Sequence, residues 1–222
     1  VTGGCFCCNY ADLDSSLDQL IESARPDVVF AESVGSCADL VATVVKPLLQ
    51  LKQTLATPTS FSVFTDARML RRRLRGDPMP FSDDVVYIYD KQIEEAGLIV
   101  VNKIDLLTAD ALSETMRLLK GAYPAKTRLP QTSLTEDGVA SWLDMLAAGE
   151  ALLPKVSLEM DYQRYGRGEA QLAWLDEEVH LSAEDAAGAV RGLVAATLQA
   201  LRARNAAIGH LKFMLQAGEI ER

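Results

Sequence analysis

The sequence predicts an α/β fold: a parallel β-sheet covered by helices, followed by a smaller α+β unit. Three observations carry this. Short apolar runs rich in β-branched residues recur through the first two thirds of the 222 residues. Each run is followed by a longer stretch with helical periodicity, and such alternation means parallel strands, because parallel neighbours need a crossover between them. The composition then changes around residues 147–154, after which the order becomes strand, strand, helix, strand. With 49% of the residues apolar, a full hydrophobic core is within reach of such a chain.

Taken in order, DVVFA (27–31) is an apolar run between Pro26 and the glycine-containing ESVGS, and it predicts a buried strand leading into a functional loop. ADLVATVVKPLLQLKQTL (38–55) follows as an amphipathic helix. SFSVFTDA (60–67) is the next strand. RRRLR (71–75) belongs to the helix after it; in an acidic protein it reads as a solvated face or a docking spot for an acidic partner. DDVVYIYDKQIEEA (83–96) is helical, with Tyr87, Tyr89 and Gln92 as packing and surface residues. AGLIVVNK (96–103) is the strongest strand. TADALSETMRLLKGA (108–122) is a helix with Thr108 as its N-cap. RLPQTS (128–133) is a weaker fourth strand, and VASWLDML (139–146) closes a first domain spanning 1–150. A second domain over 155–222 would hold strands at KVSLEMDY, AQLAWLDEEVHL and HLKFML, with a long helix from about Ser182 to Asn205. Trp142 and Trp174 read as core anchors, and His180 and His210 as core or sheet-edge histidines.

Charge and cysteine usage bound the partners. A net charge of −9 and a sequence pI near 4.8 exclude a protein that tracks nucleic acid or an anionic membrane surface, so small-molecule or protein partners are expected. Four cysteines are too few to staple a chain of this length, which points to a reducing, cytoplasmic setting. No apolar run reaches the roughly 18 to 20 residues of a membrane span. The chain opens VTGGCFCC, without methionine and inside a glycine-cysteine turn, and is read as missing its natural N-terminal segment.

Two loops at strand ends carry the chemistry. In parallel sheets ligands sit outside the carboxyl ends of the strands, where both ESVGSCAD and NKID fall. In NKID, Asp105 can accept hydrogen bonds from guanine N1–H and its exocyclic amine, Asn102 can brace the loop, and Lys103 can lie along the base. Adenine offers neither donor, leaving the carboxylate unpaired at about 1–3 kcal/mol per lost bond. Thr132 and Ser133, in QTSL after the next strand, suit the O6 edge of the base. The alternative is a plain strand exit. In ESVG, Glu32 can hold Mg²⁺ through water and Gly35 lets a backbone N–H approach a γ-phosphate; the alternative is that Glu32 caps a helix starting near Cys37. No G-x-x-x-x-G-K-[ST] phosphate loop occurs in these residues, and in this architecture it would precede Val1.

Cys5, Cys7 and Cys8 place three thiolates within four residues, soft donors for Zn²⁺ or a related ion. One turn rarely supplies all four corners of a tetrahedron, so Cys37 or a partner protein would complete the site. Redox thiols, or cysteines packed as small hydrophobes, are the competing readings.

The order GGCFCC, ESVGSCAD, VNKIDLL, QTSL resembles the CobW-type family of P-loop GTPases, relatives of the hydrogenase and urease nickel-insertion GTPases of the HypB and UreG type. The resemblance covers roughly residues 1–150. It implies a three-layer P-loop NTPase-like sheet, here lacking its first strand and phosphate loop, with a distinct C-terminal domain. It further implies metal-binding thiolates at Cys5, Cys7 and Cys8, a Mg²⁺ and γ-phosphate switch at Glu32 and Gly35, and a guanine reader at Asn102, Lys103 and Asp105. Implied with them are GTP, Mg²⁺ and Zn²⁺ or another transition metal, slow GTP hydrolysis, and a client metalloprotein. A metal-binding adaptor without turnover, or a thiol redox protein, remains the alternative.

Overall fold

A computed structural model describes residues 9–51, 59–148, 152–154, 157–172, 177–206, 208, 211, 213 and 214. The chain divides into two compact units, Val1–Leu172 and Ala173–Arg222.

In the first unit three strands form a parallel sheet in the order β1 (Ser62–Asp66), β2 (Leu98–Asn102), β3 (Thr127–Pro130). β1 and β2 pair in register from Ser62–Leu98 to Asp66–Asn102, and β2 and β3 from Leu98–Thr127 to Val101–Pro130. β2 is central and covered on both faces. Its run Leu98, Ile99, Val100, Val101 is wholly buried, as an uninterrupted apolar strand should be.

The helices are α1 (Tyr10–Ala24), α2 (Lys46–Leu51), α3 (Ala67–Arg75), α4 (Asp83–Glu95), α5 (Ala109–Ala122), α6 (Glu136–Ala147) and α7 (Tyr162–Glu169), with α8 (Ala186–Ala203) in the second unit. Side-chain caps set most of the starts: Asp66, Ser82, Thr108, Thr135, Asp161 and Asp185 each accept a backbone N–H of the first turn. Gly76, at φ 74°, ends α3 in the left-handed conformation that glycine adopts without strain. The main core lies where α3, α4 and α5 meet the sheet, around Leu70, Ile93, Ile99, Val101 and Leu119. A second cluster joins Leu13 of α1 to Cys37, Leu40 and Val44.

Within the predicted helix over 38–55, of which 52–55 lie outside the described residues, a five-residue π-helical segment, Val41–Val45, precedes α2. Pro47 explains it. Proline has no N–H for the Thr43 carbonyl and its ring presses on that group, so the preceding turn widens.

Several expectations need correction. DVVFA is not a strand: 27–31 is irregular, and Val28 and Phe30 are more than 60% exposed. Among the described residues β1 pairs with β2 alone, and 27–31 forms no ladder with it. Of the strands expected in 155–222, the described residues 157–161 and 177–181 are not extended in a sheet, while 155–156, 173–176 and most of HLKFML lie outside the described residues. Residues 157–172 belong instead to the first unit. α7 packs on α4 with Gly168 so close that a Cβ would lie 2.6 Å from the Asp84 carbonyl oxygen, and Arg164 and Arg167 both bind Asp84. Three of the four arginines of 71–75 make ion pairs within the fold: Arg71 and Arg75 pair with Glu114, and Arg73 with Asp90. His180 is exposed beside Glu178. Trp142 is half-buried, donating to the Ser62 hydroxyl at 3.1 Å between the rings of Phe30 and Phe64. Trp174 and His210 lie outside the described residues.

Candidate functional site

The carboxyl ends of the three strands bring NKID and QTSL together. β2 exits at Asn102, whose side-chain oxygen accepts three hydrogen bonds: from the Lys103 backbone N–H at 2.9 Å, and from the Ser133 backbone N–H and hydroxyl, both at 3.1 Å. One amide oxygen thus fixes two loops. Lys103 sits in the left-handed region at φ 64°, ψ 37°, an uncommon conformation for a residue with a Cβ. It is stabilised by the Asn102 bond and by the short 3₁₀ turn Ile104–Leu106 that follows. That turn exposes Asp105.

Gln131 anchors the second loop from below. It is buried, its backbone N–H donates to the Val101 carbonyl at 2.9 Å, its carbonyl accepts from Ile104 N–H at 3.3 Å, and its side chain donates to the Ser133 hydroxyl. Thr132 and Ser133 then turn into α6. Gly138 permits this turn, since a Cβ there would stand 1.9 Å from the Thr132 carbonyl oxygen.

The end of β1 adds Asp66, a residue the motif reading passes over. Its carboxylate caps α3 through the backbone N–H groups of Arg68 and Met69, binds the Arg68 guanidinium at 3.0 Å, and accepts from Lys103 Nζ at 3.3 Å. Burial pushes this carboxyl up, but the bonds from Arg68 and Lys103 outweigh it and hold its pKa at about 2. Asp66 therefore stays ionised and tethers the NKID lysine. The signal was present in the sequence, as an aspartate ending a strand at the same edge as NKID.

The ESVGSCAD loop is held elsewhere, by α4. Glu32 and Gly35 are exposed, whereas 36–40 are buried. Gln92 Nε2 donates to the Gly35 carbonyl at 2.8 Å and to the Cys37 carbonyl at 3.0 Å. Glu95, 1% exposed, accepts the Val41 backbone N–H at 2.6 Å. Asp39 adopts φ 63° and bonds to the Tyr162 hydroxyl through its carboxylate. Burial pushes the Glu95 carboxyl up, opposed by the backbone N–H groups of Val41, Leu40 and Asp39.

Cys37 is buried and is half of a disulfide. Cys5, Cys7 and Cys8, the chain's other cysteines, lie outside the described residues. Among the described residues no group of three or more histidine, cysteine or acidic side chains could hold a metal ion, and no helix is long and apolar enough to cross a membrane.

The donor set at the strand ends suits a nucleotide: an exposed carboxylate, a lysine tethered by Asp66 and a hydroxyl-bearing loop held by the Asn102 and Gln131 side chains. Comparison with curated proteins and with solved structures gave no match. Comparison with protein families matched "CobW/HypB/UreG, nucleotide-binding domain" over residues 1–129. That match takes in GGCFCC, ESVG and NKID and stops just short of QTSL. Spanning more than half of the 222 residues, it shows that the chain belongs to the CobW/HypB/UreG nucleotide-binding domain family.

Proposed function

We propose that this chain is the switch-bearing part of a GTPase that binds GTP with Mg²⁺, hydrolyses it slowly, and uses the change to load or release zinc or a related transition metal for a client metalloprotein. The single observation that carries the nucleotide half is the Asn102 side-chain oxygen, which locks the NKID and QTSL loops into one edge. On this reading Asp105 reads the guanine N1–H and amine, Lys103 lies along the base, and Thr132 and Ser133 face O6. Glu32 and Gly35 would respond to Mg²⁺ and the γ-phosphate; the metal ion supplies charge neutralisation at the phosphates when bound. Titration of the full-length protein with GTP and ATP tests the reading. Asp105→Ala is expected to weaken GTP at least about tenfold, the equivalent of one or two lost charge-assisted bonds, with ATP unaffected. Equal loss for both nucleotides contradicts it.

For the metal half, Cys5, Cys7, Cys8 and Cys37 are the proposed ligands. Cys37 follows Gly35 by two residues, so its backbone would move with the switch. Zinc affinity of Cys37→Ser with and without a GTP analogue tests this; unchanged affinity in both states rules Cys37 out as a ligand.

A second reading has its own observation. The disulfide at Cys37 favours thiol redox chemistry at the same cysteines. It requires a reversible disulfide and no zinc in the purified protein, so elemental analysis beside a thiol count separates the two. A metal-binding adaptor without turnover would hold zinc and ignore GTP.

A further inference from the structure

We propose that Gln92 and Glu95 of α4 and Tyr162 of α7 are positioning residues for the ESVGSCAD loop, a three-point latch that holds Gly35–Val41 in one backbone arrangement. The inference rests on reading that loop as the switch, and extends it to residues no motif contains.

The geometry is specific. Gln92 is one side chain donating to two carbonyls of the loop, Gly35 and Cys37, in and at the end of the turn that Cys37 N–H closes on the Val34 carbonyl. Glu95, one helical turn on, accepts the N–H of Val41 as the helical segment begins. It does from another helix what an N-cap does within one, satisfying donors that have no intrahelical partner. Between these points lies Asp39, strained at positive φ and held by Tyr162. Among the described residues Asp39 Oδ1 and Glu95 Oε2 have no hydrogen-bond partner, though both side chains are buried. An unpaired buried carboxylate oxygen is unfavourable, so this arrangement persists only while the backbone bonds around it are made.

The platform is rigid. Lys126 Nζ donates to the Ala96 carbonyl just past the end of α4, and Ile93 between the two latch residues is in the main core. α4 runs through Ala96 and Gly97 into β2 and Asn102, so the helix that grips the switch loop also leads into the base-reading loop. Tyr162 brings in α7, which lies beyond the 1–129 span of the family match. Tyr87 adds to this seam: its hydroxyl accepts the Asp161 backbone N–H at 2.7 Å, at the start of α7.

Amide hydrogen exchange on the ligand-free full-length protein tests the latch. Gln92→Leu, Tyr162→Phe and Glu95→Leu are each expected to speed exchange across 35–45 by about tenfold, while the buried amides of β2 exchange as before. Glu95→Gln keeps an acceptor for Val41 and should restore protection. Exchange that rises equally in β2 marks general destabilisation and overturns the proposal, as does exchange unchanged at 35–45 in Gln92→Leu and Tyr162→Phe. Steady-state GTP hydrolysis gives a second readout: Gln92→Leu should lower kcat with KM within about twofold of wild type, because the base-reading loop is untouched. A fall confined to KM also overturns it. Absence of GTP binding by the wild type would refute the nucleotide reading, leaving the exchange result to decide the latch.

Discussion

Asn102 and Asp66 show how much a single side chain does at this edge. Asn102→Ala removes the acceptor for Lys103 N–H and for both donors of Ser133, so Lys103 loses the bond that supports its left-handed backbone. The expected outcome is a stability loss of about 1–3 kcal/mol in chemical denaturation, together with a larger loss of GTP affinity than of stability. Asp66 makes a pH prediction. Its folded pKa lies at about 2, below the ordinary 3.8, so the stability it contributes is complete above about pH 4 and is lost as pH falls from 3.8 through 2. Asp66→Asn should flatten the urea midpoint over that window, measured against wild type. The bond from Asn102 to Lys103 is legible in NKID, because it is local to the strand exit, whereas its bonds from Ser133, 31 residues away, are not. Asp66 shows in the sequence only as an aspartate ending a strand at that edge, its Lys103 partner being 37 residues away, and Gln92 and Glu95 show nothing, since their partners lie 57 and 54 residues away and no short pattern encodes that pairing.

Among the elements, β2 and α5 follow directly from sequence because their signals are self-contained: LIVV is a four-residue apolar run, and Thr108 caps α5 by accepting from Ala111 N–H. α7 is hidden by Gly166 and Gly168, poor helix formers, of which Gly168 is required by the tight approach to α4 while Gly166 faces open space. Gly168→Ala is expected to cost about 1–3 kcal/mol and to detach α7, since its Cβ would also meet Ile88 Cδ1 at 2.7 Å. Gly138→Ala should similarly displace Thr132 and weaken GTP binding. Gly121→Ala, with nothing within 4 Å of its Cβ in α5, should instead stabilise by a few tenths to about 1 kcal/mol, and thermal melts of the three variants order them. The amphipathic pattern over 38–55 is legible as helix but not as π-helical, because the widening depends on where Pro47 falls against the loop before it.

At the scale of the whole molecule, the first compact unit runs to Leu172 and needs the segment from Leu152 onward. The Leu152 carbonyl accepts Phe61 N–H at 2.9 Å and lies where Gly97 leaves no room for a Cβ, and α7 covers α4. A chain ended at Leu172 should therefore keep the cooperative unfolding of this unit, whereas one ended at Ala148 should lose it, as circular dichroism melts would show. Composition announces a change of character near 147–154, but the packing that extends the unit to 172 depends on arginines meeting Asp84 across eighty residues. The outer side of β1 carries a further consequence. Phe64 is 45% exposed there, and Phe30, which packs on the same Trp142 ring, is exposed as well, so apolar surface lies beside a strand that among the described residues is paired on one side only. Mutual repulsion from their shared charge of −9 opposes association of copies at low ionic strength. Added salt screens that repulsion, and the protein's colloidal stability should fall as ionic strength rises, a behaviour opposite to salting-in and visible as growing light scattering.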